Sequence, residues 1–206
     1  MLQITGYTKY YGPQLVLEIP SLKLDNELYW VKGNNGAGKT TFLKSVAGLL
    51  PFNGNIFFDQ FSLKKQRQFY LNEVSFAEAE PQYPPFLTGS DMIRFFRQVR
   101  KDNTERTGQL VTRFQMKEFI DAKLATYSSG MMKKLSLVLA LLGEPKLILL
   151  DEPFITLDTE AVTSVTELIH EFRMNGIGFL MSTHQQPSAG FSYKTLLIQN
   201  NLAELI

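Results

Sequence analysis

Eight residues constrain this chain more than anything else in it: Gly33-Asn34-Asn35-Gly36-Ala37-Gly38-Lys39-Thr40. They match the phosphate-binding pattern G-x-x-x-x-G-K-[ST] at every fixed position. An apolar run, Leu28 to Val31, precedes them, and a helical pattern, Thr41 to Leu50, follows. Glycines let the backbone curl until successive N–H groups face one point, where phosphate oxygens can sit. The start of the helix adds a partial positive charge at the same point. Lys39 is then placed to reach the β- and γ-phosphates, and the Thr40 hydroxyl to ligate Mg²⁺. Asn34, Asn35, Gly36, Ala37, Gly38 and Thr41 complete the expected nucleotide contacts. A glycine-rich turn without a ligand is the bland alternative, and the strand–loop–helix context argues against it.

The bulk numbers narrow the setting. At 206 residues the chain has room for one domain, with a small inserted part, and for a good core. A composition 44% hydrophobic and 20% charged is ordinary for a globular fold in water. A net charge of +1 leaves no electrostatic footprint for nucleic acid, so no such partner is expected. The absence of cysteine excludes disulfides and thiolate metal sites and fits a reducing compartment. Residues 1–30 lack the basic-then-apolar order of a secretory signal. No apolar run approaches the ~20 residues of a spanning helix. The longest, Leu135–Leu142 and Leu147–Leu150, are split by Gly143-Glu144-Pro145. A membrane role would therefore be peripheral, through a partner, without direct insertion.

Alternating apolar and polar residues with turns at Gly12-Pro13 and Asp25-Asn26 predict short strands near 2–8, 14–20 and 27–32. Another strand is expected at Asn55–Asp59, a short polar helix at 64–70 and a core strand at Glu73–Phe76. The middle is helical: one helix capped by Ser90, one starting at Thr104, and a short one at 116–122. Ser128 or Ser129 caps a long helix to about Leu142, and Asp158 caps one to about Met174. Leu147–Leu150, Ile177–Ser182 and Tyr193–Gln199 read as strands, the first two buried on both faces. The expected fold is α/β: a P-loop nucleotide-binding core on a mostly parallel sheet, an N-terminal antiparallel β part, and a helical insertion at about 86–130.

Three further places carry chemistry. Asp151 ends an apolar strand, where a carboxylate faces the ligand crevice and can share Mg²⁺ with Thr40. Glu152, one residue on, can orient or deprotonate the attacking water. His184 ends the next apolar strand, where a neutral imidazole can bond the γ-phosphate or the water. The other histidine, His170, lies in a helix with no motif around it. Tyr127-Ser128-Ser129-Gly130-Met131 opens a helix whose hydroxyl and N–H groups make a second anion site. A monomer has no use for both sites; two monomers do, if each lends this helix to the other's nucleotide.

At this point the chain resembles the nucleotide-binding subunit of an ATP-binding cassette (ABC) transporter over nearly its whole length. Gly33–Thr40 resembles Walker A, and Leu147–Glu152 resembles Walker B with its catalytic glutamate. Tyr127–Met131 resembles the family signature L-S-G-G-Q, keeping Ser128 and Gly130 and placing Ser129 where the family has Gly. Thr156-Leu157-Asp158 resembles the D-loop, His184 the switch histidine, and Tyr11 the aromatic that stacks on adenine. The resemblance implies ATP and Mg²⁺ as ligands and catalytic roles for Lys39, Glu152 and His184. It also implies a dimer with a second copy or a related ATPase subunit, and a membrane-spanning partner. The implied location is cytoplasmic, on the inner face of the cell membrane. One element departs: the family's glutamine ahead of Leu87-Thr88 falls at Ala79, which leaves Glu78 or Glu80 as substitute oxygen donors to the metal. Asp151-Glu152-Pro153-Phe154 and Thr183-His184-Gln185 also look similar to haem-exporter ATPases of cytochrome c maturation.

Two other classes stay open. A soluble ABC protein acting on a non-membrane partner usually carries two cassettes or a long coiled-coil insertion. A small-metabolite P-loop kinase has no reason to keep the signature helix and D-loop together. Tyr83-Pro84-Pro85-Phe86, with Phe95 and Phe96, forms an aromatic group that reads as a socket for a partner helix.

Overall fold

A computed structural model describes residues 1–102, 105–184 and 191–206. Its strands are β1 (Leu2–Tyr11), β2 (Gln14–Leu24), β3 (Leu28–Lys32), β4 (Asn53–Phe58), β5 (Phe61–Ser62), β6 (Val74–Ala77), β7 (Leu147–Asp151), β8 (Gly178–Ser182), β9 (Lys194–Gln199) and β10 (Leu202–Leu205). Its helices are α1 (Lys39–Val46), α2 (Arg67–Glu73), α3 (Gly89–Arg100), α4 (Arg106–Arg113), α5 (Ser129–Ala140) and α6 (Thr159–Met174). All ten strands join one curled sheet in the order β5-β4-β1-β2-β10-β9-β3-β8-β7-β6. The β9-β3-β8-β7-β6 half is parallel, and β5-β4-β1-β2 is antiparallel. The hairpin strand β10 joins the halves, antiparallel to β9 and parallel to β2.

The parallel strands are apolar because both faces of the sheet are covered. Successive side chains point to opposite faces. Ile148 and Leu150 of β7 therefore enter the core under α5 and α6, while Leu147 and Leu149 enter the core under α1. Phe179 and Met181 of β8 join the first of these cores and Leu180 the second. This packing brings the carboxyl ends of four parallel strands to one edge. The Gly33–Gly38 loop leaves β3, Glu78 follows β6, Glu152 follows β7 and Thr183-His184 follows β8. Ligands of open parallel sheets bind at such an edge.

The structure changes several sequence-based boundaries. β1 and β2 run further than expected, and β5 and β10 were not foreseen. Helix α3 is capped by Thr88 rather than Ser90: the Thr88 side chain accepts from the Asp91 N–H while Asp91 accepts from the Thr88 N–H. Residues 116–122 form turns, not a helix. Met116 O accepts from the Phe119 and Ile120 N–H groups, but the turn goes no further as a helix: Ile120 O accepts from the Ser90 N–H, and Phe119 O from the Ala122 N–H and the Tyr127 hydroxyl. The expected start at Thr104 lies outside the described residues.

Candidate functional site

The loop between β3 and α1 owes its curl to three glycines with separate reasons. Gly36 and Gly38 sit at φ 78° and 105°, a region costly for other residues. Gly33 has no room for a side chain, because a methyl group there would stand 2.5 Å from the Ile198 carbonyl oxygen. Asn34, Asn35, Gly36 and Ala37 line a pocket of about 860 Å³ together with Trp30, Thr183 and His184. The indole N–H of Trp30 donates to Thr183 O at 3.1 Å and holds the chain ahead of His184 in place. Lys39 is largely buried, and its ammonium donates to Gly33 O and Asn34 O at 2.9 and 3.2 Å. The cation thus lies across its own loop, which the Ala37 N–H also closes by donating to Asn34 O at 3.1 Å.

Thr40 and Asp151 converge as expected. The Thr40 hydroxyl donates to Asp151 Oδ1 at 3.2 Å, and Ser182 Oγ donates to the same oxygen at 2.6 Å. Asp151 Oδ2 is buried with no hydrogen-bond partner. A buried carboxylate oxygen without a donor is costly unless a cation takes it. This donor set fits Mg²⁺, which takes few protein oxygens and completes its shell with water and phosphate. No group of three His, Asp or Glu side chains stands ready to hold a metal among the described residues. Thr40, Asp151, Glu78, Glu80 and Gln82 line one cavity of about 530 Å³. Glu78 therefore faces the Thr40–Asp151 cavity, but its Oε2 already accepts from Lys44 at 3.0 Å.

Glu152 stands at the left-handed φ of 45°, uncommon for a residue with a side chain. Its N–H holds that conformation by donating to Ser182 O and Ser182 Oγ, both at 3.1 Å. The His184 N–H donates to Glu152 Oε2 at 3.3 Å, and His184 Nε2 lies 3.5 Å from Oε1. Glu152 and His184 are thus one unit, with His184 on the wall of the larger pocket and Glu152 next to Asp151 in the chain. Gln185 lies outside the described residues.

The remaining expected contacts are elsewhere. Ser128 caps α5, its Oγ accepting from the Met131 N–H at 3.2 Å. Ser128 and Ser129 are exposed. Asp158 caps α6 through the Ala161 N–H and pairs with Lys134, both at 2.7 Å. Ser128, Ser129, Gly130 and Asp158 line neither cavity of the chain's own loop. Nor do Tyr11, which is half-exposed with Lys9 Nζ 4.7 Å from its ring centre, and Thr41.

A sequence profile of the ABC transporter family matches residues 20–155. The chain belongs to the ABC transporter family. It is the ATP-binding kind of subunit, and no described helix is long and apolar enough to cross a membrane. It is 31% identical over 188 residues to the uncharacterized ABC transporter ATP-binding protein YdbJ of Bacillus subtilis, covering 89% of this chain and 61% of that one. The chain thus spans less than two thirds of YdbJ. It is 33% identical over 187 residues to the cytochrome c biogenesis ATP-binding export protein CcmA of Legionella pneumophila, covering 90% and 93% of the two. A solved ATP-binding subunit of an ABC transporter superposes with a TM-score of 0.89 at 27% identity, covering 98% and 88%. The dimeric ADP- and Pi-bound cassette MJ0796 shares the fold, with a TM-score of 0.83 at 20% identity over 99% and 97%.

Sequence reasoning missed two ABC-site residues. Ser182 was read only as the end of a strand, although its register partner is Asp151. Lys133 is fully buried on the inner face of α5 and donates to Glu78 O, Ala79 O and Asp151 O. Burial pushes its ammonium down to about 8, against the pull of Asp151, Glu152 and Glu78.

Proposed function

We propose that this chain is an ATP-hydrolysing ABC subunit that dimerises head to tail on ATP and drives a separate membrane-spanning subunit. The observation that carries the reading is the separation of its two phosphate-type ends. The Walker A loop opens to one pocket, while the capped end of α5 is exposed and lines neither cavity of that loop. Each loop can then be closed by Ser128, Ser129 and Gly130 of the other copy, or of a related subunit. On this reading residues 1–206 act as one cassette with a helical part at about 86–130, Tyr11 stacks on the adenine, and Asp158 joins the site in the dimer.

The side chains divide the work. Lys39 leaves the Gly33 and Asn34 carbonyls for the β- and γ-phosphates. Thr40 and Asp151, with Glu78 beside them, would hold Mg²⁺, which when bound supplies charge stabilisation on the phosphate oxygens. Glu152 accepts a hydrogen bond from the water and orients it, and His184 holds the Glu152 carboxylate in position.

The partner reading rests on a groove of about 670 Å³ beside Glu78, with exposed Leu49, Phe95 and Val99 on its wall. An apolar segment of a membrane subunit is the occupant we propose, which sets the chain on the inner face of the membrane. The alternative, a soluble ABC-type ATPase with a non-membrane partner, fits the same site but leaves this groove without a use.

The test is size exclusion of Glu152→Gln with MgATP. A dimer is expected, and Ser128→Arg in the same background should return it to monomer. A Glu152→Gln protein that binds ATP but stays monomeric overturns the head-to-tail reading.

A further inference from the structure

The two lysines that follow the exposed end of α5 have different surroundings. Lys134 pairs with Asp158 at 2.7 Å, and its neighbour Lys133 is 0% exposed. All three hydrogen bonds of Lys133 go to backbone carbonyls: Glu78 O at 2.8 Å, Asp151 O at 2.8 Å and Ala79 O at 3.4 Å. An aliphatic side chain would fill that space without the cost of burying a cation. What the ammonium adds is a set of directed, charge-assisted bonds.

The position of those bonds is informative. They grip the carboxyl ends of β6 and β7, adjacent parallel strands in which Ala77 faces Leu150. Glu78 lines the metal cavity, Asp151 bears the unpartnered oxygen, and Glu152 comes next in the chain. At its other end the same stretch of helix carries Ser128 to Gly130. Ser129 and Lys133 are four residues apart, about 6 Å along a helix axis. About one stiff turn of helix therefore links the surface offered to the partner copy with the chain's own hydrolytic edge.

We propose that Lys133 is a positioning residue that couples the two half-sites of one chain. It joins the Ser128–Gly130 end of α5 to the Glu78–Ala79 peptide and the Asp151 carbonyl. When that end engages phosphates held by the partner copy, Lys133 carries the displacement to the two strand ends, and Glu78 and Glu152 are set for hydrolysis. Lys134 extends the tie to Asp158. The inference rests on the head-to-tail dimer proposed above.

The experiment uses the full chain and reads steady-state hydrolysis against ATP concentration, with binding of a fluorescent ATP analogue as control. The parent is expected to show a Hill coefficient near 2, the limit for two sites. Lys133→Met keeps the stem and removes the donors. It should bind the analogue within about two-fold of the parent, with a Hill coefficient near 1 and kcat down about ten-fold. Lys133→Arg, which restores donors, should recover cooperativity. If Lys133→Met does not fold, Lys133→Gln is read in its place. A folded variant that keeps the parental Hill coefficient overturns the proposal, as does equal loss in Met and Arg variants, which would assign the effect to packing. A parent Hill coefficient of 1, with Glu152→Gln monomeric in MgATP, overturns the dimer and this coupling together.

Discussion

Gly130 and Thr156 pack backbone against backbone: a methyl group on Gly130 would stand 2.7 Å from the Thr156 carbonyl oxygen. Thr156 is itself at the left-handed φ of 63°, so the D-loop has little freedom to retreat. The signature end of α5 and the D-loop are therefore one surface. Gly130→Ala should force them apart at a cost of about 1–3 kcal/mol. The expected result is near-normal ATP binding by the isolated chain with ATPase activity down more than about ten-fold. Parental activity in a folded Gly130→Ala protein would show that the two segments act separately.

His184 meets Glu152 through both its backbone N–H and its ring. Removing the ring should leave ATP affinity almost unchanged and lower kcat by about 10²-fold, the range of a lost proton-transfer or orienting group. Steady-state kinetics of His184→Ala, beside equilibrium binding, separates the two quantities. A raised KM at constant kcat would place His184 in binding instead.

Glu78 faces the Thr40–Asp151 cavity and is paired with Lys44. If Glu78 supplies the oxygen that the family's glutamine usually gives, Glu78→Ala should raise the Mg²⁺ concentration for half-maximal ATPase by about ten-fold. Lys44→Ala, which frees the carboxylate, should lower it. An unchanged Mg²⁺ requirement in both variants would assign the pair to holding α1 against β6 and leave Gln82, in the same cavity, as the donor to examine.

What could be read from the sequence follows from how local each signal is. The Walker A loop, the strand end at Asp151 and the cap at Asp158 are local patterns, and each appears where its residues imply. The turn at 116–122 and the buried role of Lys133 were not legible, because both depend on partners far along the chain: Ser90 for the turn, Glu78 and Asp151 for the lysine. A lysine at a helical position reads as solvent-facing until the strand ends beneath it are known. Strand β10 follows the same logic, since Asn200 and Asn201 turn the chain with positive φ and pairing with β9 and β2 makes Leu202–Leu205 a strand.

Asp158 caps α6 and binds Lys134, two roles that substitutions can separate. Asp158→Ala removes both and should cost about 1 kcal/mol or more, as cap losses do. Asp158→Asn keeps a cap acceptor and should cost less. The Lys134 hydrogen bond, then the Ala161 N–H, holds the Asp158 carboxyl below the usual carboxylate range. The folded value is lower than the unfolded one of about 3.9, so the contribution is complete above that pH and is lost as pH falls through the folded value. Denaturant unfolding should show wild type and Asp158→Asn diverging near neutrality and converging in acid. A gap that persists below the folded value would assign the difference to the cap.

The aromatic group around the proposed docking groove is not uniform. Tyr83 and Phe96 are partly buried against the main core, and burial pushes the Tyr83 phenol up to about 12. Phe95, on the groove wall, is 58% exposed, and Phe86, which does not line the groove, is 71% exposed. The sequence alone treats these rings as one socket; the structure splits them into a supporting pair and a presented pair. Tyr83→Ala should therefore destabilise the chain by about 2 kcal/mol, as a partly buried ring lost to a cavity does. That makes it a poor probe of docking. Phe86→Ser with Phe95→Ser removes mostly exposed apolar surface, with one edge-on contact of Phe95 to Phe96 at 5.8 Å, so the melting temperature should fall little and basal ATPase should stay within about two-fold. Co-purification with a membrane-spanning partner should be lost, because the rings rather than the groove floor meet the incoming segment. Undiminished co-purification by a folded double variant would move the docking surface away from this face.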